Sequence, residues 1–229
     1  MSNAVRKLSR PSVFLLSEFV IIVLGVLVAL AVDGWNQERQ NKDIRRHLIA
    51  SLLSDLNEDK GDYQEFVDHS KERVVAANFI AQLDAGQSGL TEDQYYQARE
   101  ALRILGSTSR LETVDNTFRE MTAMGTGATI GDAELRLRIS HYYGLARDRS
   151  DINDLLMPGI LRYRESLEDI GISYVDRQQI DVDAVIENKK ALAIIRELGY
   201  WADLANLLAT DIRAENAELI ATLEALQSR

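Results

Sequence analysis

Residues 13–32 read VFLLSEFVIIVLGVLVALAV, a run whose one charged side chain is Glu18. Twenty residues in a helix, at ~1.5 Å each, cover about 30 Å, the thickness of a bilayer's hydrocarbon core. Arg6, Lys7 and Arg10 precede the run, and Trp35 follows where an interfacial aromatic anchor belongs. We therefore expect one membrane crossing, anchored at its borders by Arg10, Trp35 and Arg39. Two other readings compete. Ala29-Leu30-Ala31 resembles a signal-peptidase site behind a basic leader, but the apolar run is longer than an ordinary signal core and carries a carboxylate. A buried soluble helix rarely runs this far without polar relief.

The expected organisation is a short cytoplasmic tail (1–12), a transmembrane helix (13–34) and an extracytoplasmic helical bundle (35–229). Orientation rests on the flanking bases. Arg10 stands two residues from the span, whereas the first base downstream, Arg39, lies seven beyond Val32. That places the N-terminus inside and the bulk of the chain outside, in the periplasm if the membrane is a bacterial inner membrane.

A carboxylate inside an apolar span is expensive in lipid and faces protein, water or the headgroups. Steps of three and four put Glu18, Ile22, Gly25, Ala29 and Val32 or Asp33 on one helical face. Gly25-x-x-x-Ala29 is there a small-xxx-small pair that lets a second helix come close. Three readings of this face stand side by side: helix association, a polar pore, or a carboxylate that only reaches the headgroup region beside Arg10.

Beyond the span, two prolines and 13 glycines in 229 residues leave long stretches without breakers, so an all-α chain is expected. Apolar residues at helical spacing from Ile44 to Ala77 continue the membrane helix as a stalk to about Leu83, across Gly61. Ala85 to Leu90 is a loop by composition, and Thr91-Glu92-Asp93-Gln94 fits a capping box opening a helix through Leu105. Further helices are expected from Val114 to Met124, from Asp132 with a kink or restart at Pro158 and an end near Gly171, and from Val185 to Gln227 with a break at Gly199. The sum is one N-terminal transmembrane helix continuing into an antiparallel bundle of four or five helices.

The sequence of Glu18, GVLVAL and then Asp33-Gly34-Trp35-Asn36-Gln37-Glu38-Arg39 resembles an uncharacterised bacterial family of single-pass membrane proteins, a domain of unknown function. Phe118-Arg119-Glu120-Met121 through Gly125, Ile130, Leu135-Arg136 and Tyr142-Tyr143 is similar to that family's middle segment. Asp33 stands where the family's exit often has Asn. The resemblance implies a bacterial, single-pass, helical protein and brings no activity with it.

Chemistry is sparsely signalled. With no cysteine, thiolate sites are excluded. Asp43-x-x-x-His47 and Glu65-x-x-x-His69 each pair an acid with an imidazole, but two ligands are too few for a metal, and the paired Glu-x-x-His motifs of a di-iron bundle are absent. Gly125, Gly127 and Gly131 do not follow a phosphate-loop spacing. No serine elbow occurs and no acid pair can be singled out, so neither catalytic residues nor cofactor ligands are assigned. Tyr95-Tyr96 and Tyr142-Tyr143 read as packing before recognition. A net charge of −10 argues against a nucleic-acid partner.

The leading expectation is a non-enzymatic, membrane-anchored module that oligomerises or serves as an accessory or scaffold subunit of a membrane complex, its partners being the bilayer and a second copy or another membrane protein. The alternative is a homo-oligomeric channel with Glu18 facing the pore. A third class is a sensor whose outer bundle signals along the stalk to a partner.

Overall fold

The computed structural model describes residues 10–83, 89–173 and 180–228, with side chains from residue 18 onward. Among them are eight helices and no strand: α1 (Arg10–Gln82), α2 (Glu92–Gly106), α3 (Asn116–Ala123), α4 (Gly127–Ile130), α5 (Ala133–Ser150), α6 (Ile152–Glu168), α7 (Val182–Glu187) and α8 (Lys189–Gln227). Five of these, α1, α2, α5, α6 and α8, have 15 or more residues and make the bundle.

The membrane-like segment and the stalk are one helix. α1 runs 73 residues without a break, through Gly25, Gly34 and Gly61, and ends one residue before the expected Leu83. The segment from Glu18 is long and apolar enough to cross a membrane, and no described residue covers it. No described side chain before Leu48 is buried, so residues 33–47 form a bare stalk of about 22 Å.

Beyond the stalk, α1 pairs antiparallel with α8 along most of its length. On α1 the buried positions Leu52, Leu56, Asp59, Tyr63, Phe66, Ser70, Arg73, Ala77 and Ile80 alternate steps of four and three. On α8, Ala191, Ile195, Leu198, Ala202, Ala205, Ala209, Ile212, Asn216, Leu219 and Leu223 do the same. This heptad spacing is the signature of knobs-into-holes packing. Two apolar clusters share the seam. The one nearer the span joins α1 and α8 to α3, α4 and α5, and the distal one joins them to α2, α6 and α7.

Several expected boundaries move, each for a local reason. Thr91 and Gln94 form the expected capping box, with both reciprocal bonds present. The third helix begins at Asn116 instead of Val114, because the backbone N–H groups of Val114 and Thr117 donate to Asp59 and Asp55 on α1 and hold residues 107–115 outside a helix. Pro158 does not restart the helix. The interruption falls at Asp151, and Pro158 sits inside α6, where the carbonyl it leaves without a donor belongs to exposed Asp154. α6 closes as expected near Gly171, whose φ of +78° permits the turn that returns Ile172 N–H to Leu167 O. The break expected at Gly199 occurs at Asn188, whose side chain caps α8 by accepting from Lys190 and Ala191. Most of the Ala85–Leu90 loop, residues 84–88, lies outside the described residues, as do the tail bases Arg6 and Lys7.

Gly199 is instead a point of close approach between the two long helices. A Cβ there would stand 2.8 Å from the Cβ of Ala77. By contrast, Gly61 is exposed in the same α1 helix and meets nothing. Gly199→Ala should therefore destabilise by about 1–3 kcal/mol, while Gly61→Ala should stabilise by about 0.5–1 kcal/mol, as chemical denaturation of each variant would show.

Candidate functional site

Two places in the fold carry side chains that core packing does not explain. The first is the face of the span. The continuous helix sets Glu18, Ile22, Gly25, Ala29 and Asp33 in one stripe, and all five are exposed. A Cβ added at Gly25 would touch nothing within 4 Å. Trp35 and Arg39 follow on the stalk, both exposed, with Glu38 paired to Lys42 at 3.1 Å. Arg10 begins α1, and its side chain lies outside the described residues. The stripe is thus present as a geometric object, and no described residue occupies it.

The second place is a polar cluster inside the seam. Asp59 is fully buried on α1. Its Oδ1 accepts from the backbone N–H of Val114 at 2.7 Å, and its Oδ2 accepts from the Tyr142 hydroxyl of α5 at 2.6 Å. With its proton directed at Asp59, Tyr142 oxygen is left to accept, from Asn216 Nδ2 at 3.1 Å and from the Tyr63 hydroxyl at 3.2 Å. Tyr63 in turn must accept from Thr113 Oγ1, 2.6 Å away. The donors therefore run in one direction, Thr113 to Tyr63 to Tyr142 to Asp59. Asn216 closes the cluster by donating its second proton to Leu56 O at 3.0 Å.

Burial sets the electrostatics. It pushes the Asp59 carboxyl up to about 6 against the pull of the Tyr142 and Val114 hydrogen bonds, and neighbouring Asp55 and Asp62 push the same way. Tyr63 is raised to about 12 by burial and by Asp59, and Tyr142 is raised further by burial and by Tyr63 and Asp59.

Thr113 also lines a surface cleft of about 360 Å³ with Glu112, Asp115, Tyr143, Arg147 and Asn153. Tyr143 stacks on Phe118 with ring centroids 4.4 Å apart, and its buried hydroxyl has no hydrogen-bond partner among the described residues. The chain of hydroxyls therefore links the cleft to Asp59. A second, more apolar groove of about 620 Å³ lies between α1 and α2, where Val75 and Tyr96 are exposed.

The histidine pairs do not come together. His69 turns from Glu65 to Glu72, with Nδ1 3.7 Å from that carboxylate, and its Nε2 meets Ser107 Oγ at 2.8 Å. Among the described residues no three His, Asp or Glu side chains converge on a metal position. Tyr142 and Tyr143 are core residues, whereas Tyr96 is exposed and Tyr95 donates to Asp183 at 2.7 Å. The sequence reading missed Asp59, Tyr63, Arg73 and Asn216. The available signal was a polar residue falling at heptad positions of an otherwise apolar stripe. No protein-family model, curated protein or solved structure matches the chain.

Two predictions follow from the cluster. A carboxyl with a raised folded pKa binds more protons in the native than in the unfolded state between its usual value of 3.8 and about 6. Asp59 thus withdraws stability as pH rises through that window, and the penalty is constant above it. The stability of Asp59→Asn relative to wild type should rise between those pH values and then level off, which denaturation at a series of pH values would reveal. Separately, Tyr142→Phe should cost about 1–3 kcal/mol, since it leaves Asp59 and Asn216 short of a partner, whereas Tyr143→Phe should change stability by less than about 0.5 kcal/mol. Thermal unfolding of the two variants separates them.

Proposed function

We propose that this chain is a non-enzymatic, membrane-anchored helical module that assembles through its span, with a second copy or with another membrane protein. The observation that carries the reading is the uncovered Glu18–Gly25–Ala29 stripe on a helix that runs unbroken into the bundle core. In lipid a carboxylate at that depth is stabilised by a partner able to hydrogen-bond to it, and the small residues beside it let that partner approach closely. The bundle supplies no such partner.

In the same reading the span lies in a bacterial inner membrane, the N-terminus inside and the bundle in the periplasm. The support is the placement of Arg10 beside the span, the exposed interfacial Trp35, and the resemblance of the exit sequence to bacterial single-pass proteins. A homo-oligomeric channel uses the same stripe and demands several copies around a pore, with Glu18 as a ring that favours cations.

The test is the native and intact mass of the full-length protein in nanodiscs, with co-purifying proteins identified. A defined homo-oligomer, or a stable complex with another membrane protein, supports the proposal, and a lone monomer or a product beginning after Ala31 overturns it. Gly25→Leu should weaken the assembly at least about tenfold by blocking close approach. Three or more copies with a conductance that Glu18→Gln alters would assign the channel in place of the scaffold.

A further inference from the structure

Arg73 is the largest wholly buried side chain in the protein, and it lies in the α1–α8 seam. Its guanidinium makes one hydrogen bond, from Nη2 to Ser107 O at 2.9 Å. Its Nε and Nη1 have no partner among the described residues, and neither do the buried hydroxyls of Ser70 and Ser109. Four unmet polar atoms in one chain region are unusual, because buried donors are ordinarily satisfied.

The four atoms share one level of the bundle. Ser70 and Arg73 are three residues apart on one face of α1. The linker after α2 runs back along the same helix in a register fixed by its hydrogen bonds: Ser107 to Arg73 and His69, Thr113 to Tyr63, Val114 to Asp59, Thr117 to Asp55. Interpolating along this register sets Ser109 beside Ser70.

The charge is as unmet as the hydrogen bonds. Burial lowers Arg73 only to about 10, and no neighbouring acid counters that shift, so the guanidinium is a cation at neutral pH. The carbonyl end of α2 offers a dipole of about half a charge. Arg73 shares it with Arg164, whose Nε and Nη2 both donate to Gly106 O, at 2.8 and 2.6 Å. His69 adds no negative charge. Ser107 Oγ gives its proton to Ile104 O at 2.5 Å, so His69 Nε2 must carry the hydrogen it shares with Ser107, and burial together with Arg73 holds the imidazole below its usual pKa. Glu72, the nearest acid to His69, is exposed.

From these unmet donors at the level of a buried cation, we propose that Arg73, Ser70 and Ser109 bind a small inorganic anion of the chloride class. Water can meet the hydrogen bonds but cannot neutralise the charge. An organic anion is excluded by the complete burial of Arg73 and Ser70. The anion ties the α2–α3 linker to α1 at the junction of the two apolar clusters.

The test exploits the chain's three histidines. Histidine-selective NMR of the full-length protein in nanodiscs follows His69 while sodium chloride replaces sodium gluconate at constant ionic strength. Binding should move the His69 signal saturably and raise its pKa, because the anion offsets Arg73. Arg73→Met should abolish the response, and Ser70→Ala should weaken the affinity about tenfold. A His69 signal that does not respond to chloride, or responds equally in Arg73→Met, overturns the proposal. Should Arg73→Met fail to fold, bromide-soaked crystals of the wild type decide: an anomalous peak bonded to Arg73 sustains the site, and ordered water alone refutes it.

Discussion

The antiparallel seam between α1 and α8 is the contact on which the other helices depend. α2 and α6 pack on its distal half and α3, α4 and α5 on the half nearer the span, so neither apolar cluster closes without it. The seam is tight where small residues meet: Gly199 against Ala77 on α1, with Ala202, Ala205 and Ala209 following on α8. Close backbones maximise dispersion contact but leave little room for error, since an added methyl meets backbone-anchored atoms with no flexible side chain to yield.

Polar residues placed in such a seam specify it more than they strengthen it. Asn216 reaches Leu56 O and Tyr142, and Asp59 reaches Tyr142 and Val114. A slip of α8 by one heptad would keep apolar positions facing apolar positions almost everywhere. It would also carry Asn216 away from both partners and leave a buried amide unmet, at a cost of several kcal/mol. The same logic fixes the α2–α3 linker, whose backbone N–H groups are held by Asp55 and Asp59 in place of a helical turn.

This explains which features were legible in the sequence. The span, the unbroken stalk, the Thr91 capping box and the all-helical class depend on local rules: run length, absence of breakers, and a side chain that bonds three residues away. The positions of Pro158 and Gly199 were misread because their usual effect on helices is conditional. Pro158 is carried inside α6, where the carbonyl it orphans belongs to exposed Asp154, and Gly199 lies where Ala77 of α1 comes close. Asp59, Arg73 and Asn216 are polar residues whose burial depends on elements distant in sequence, which no local rule reveals. The span stripe was legible as a stripe, and no described residue covers it.

Because α1 has no interruption between the stripe and the seam, the two are fixed in angle as well as in distance. At about 100° per residue, the direction of Gly25 is about 180° from that of Leu52, and those of Glu18 and Ala29 are about 160° and 140° from it. The stripe therefore faces away from α8, to the side of α1 that the bundle leaves open. A helix that docks on Gly25 and Ala29 can come to van der Waals distance without colliding with the bundle carried above, and two copies docked this way stand back to back. Any change in the packing of such a pair turns or tilts α1, and α1 carries Asp59 and Arg73 with it, so the polar groups of the seam and the contacts in the membrane belong to one rigid element.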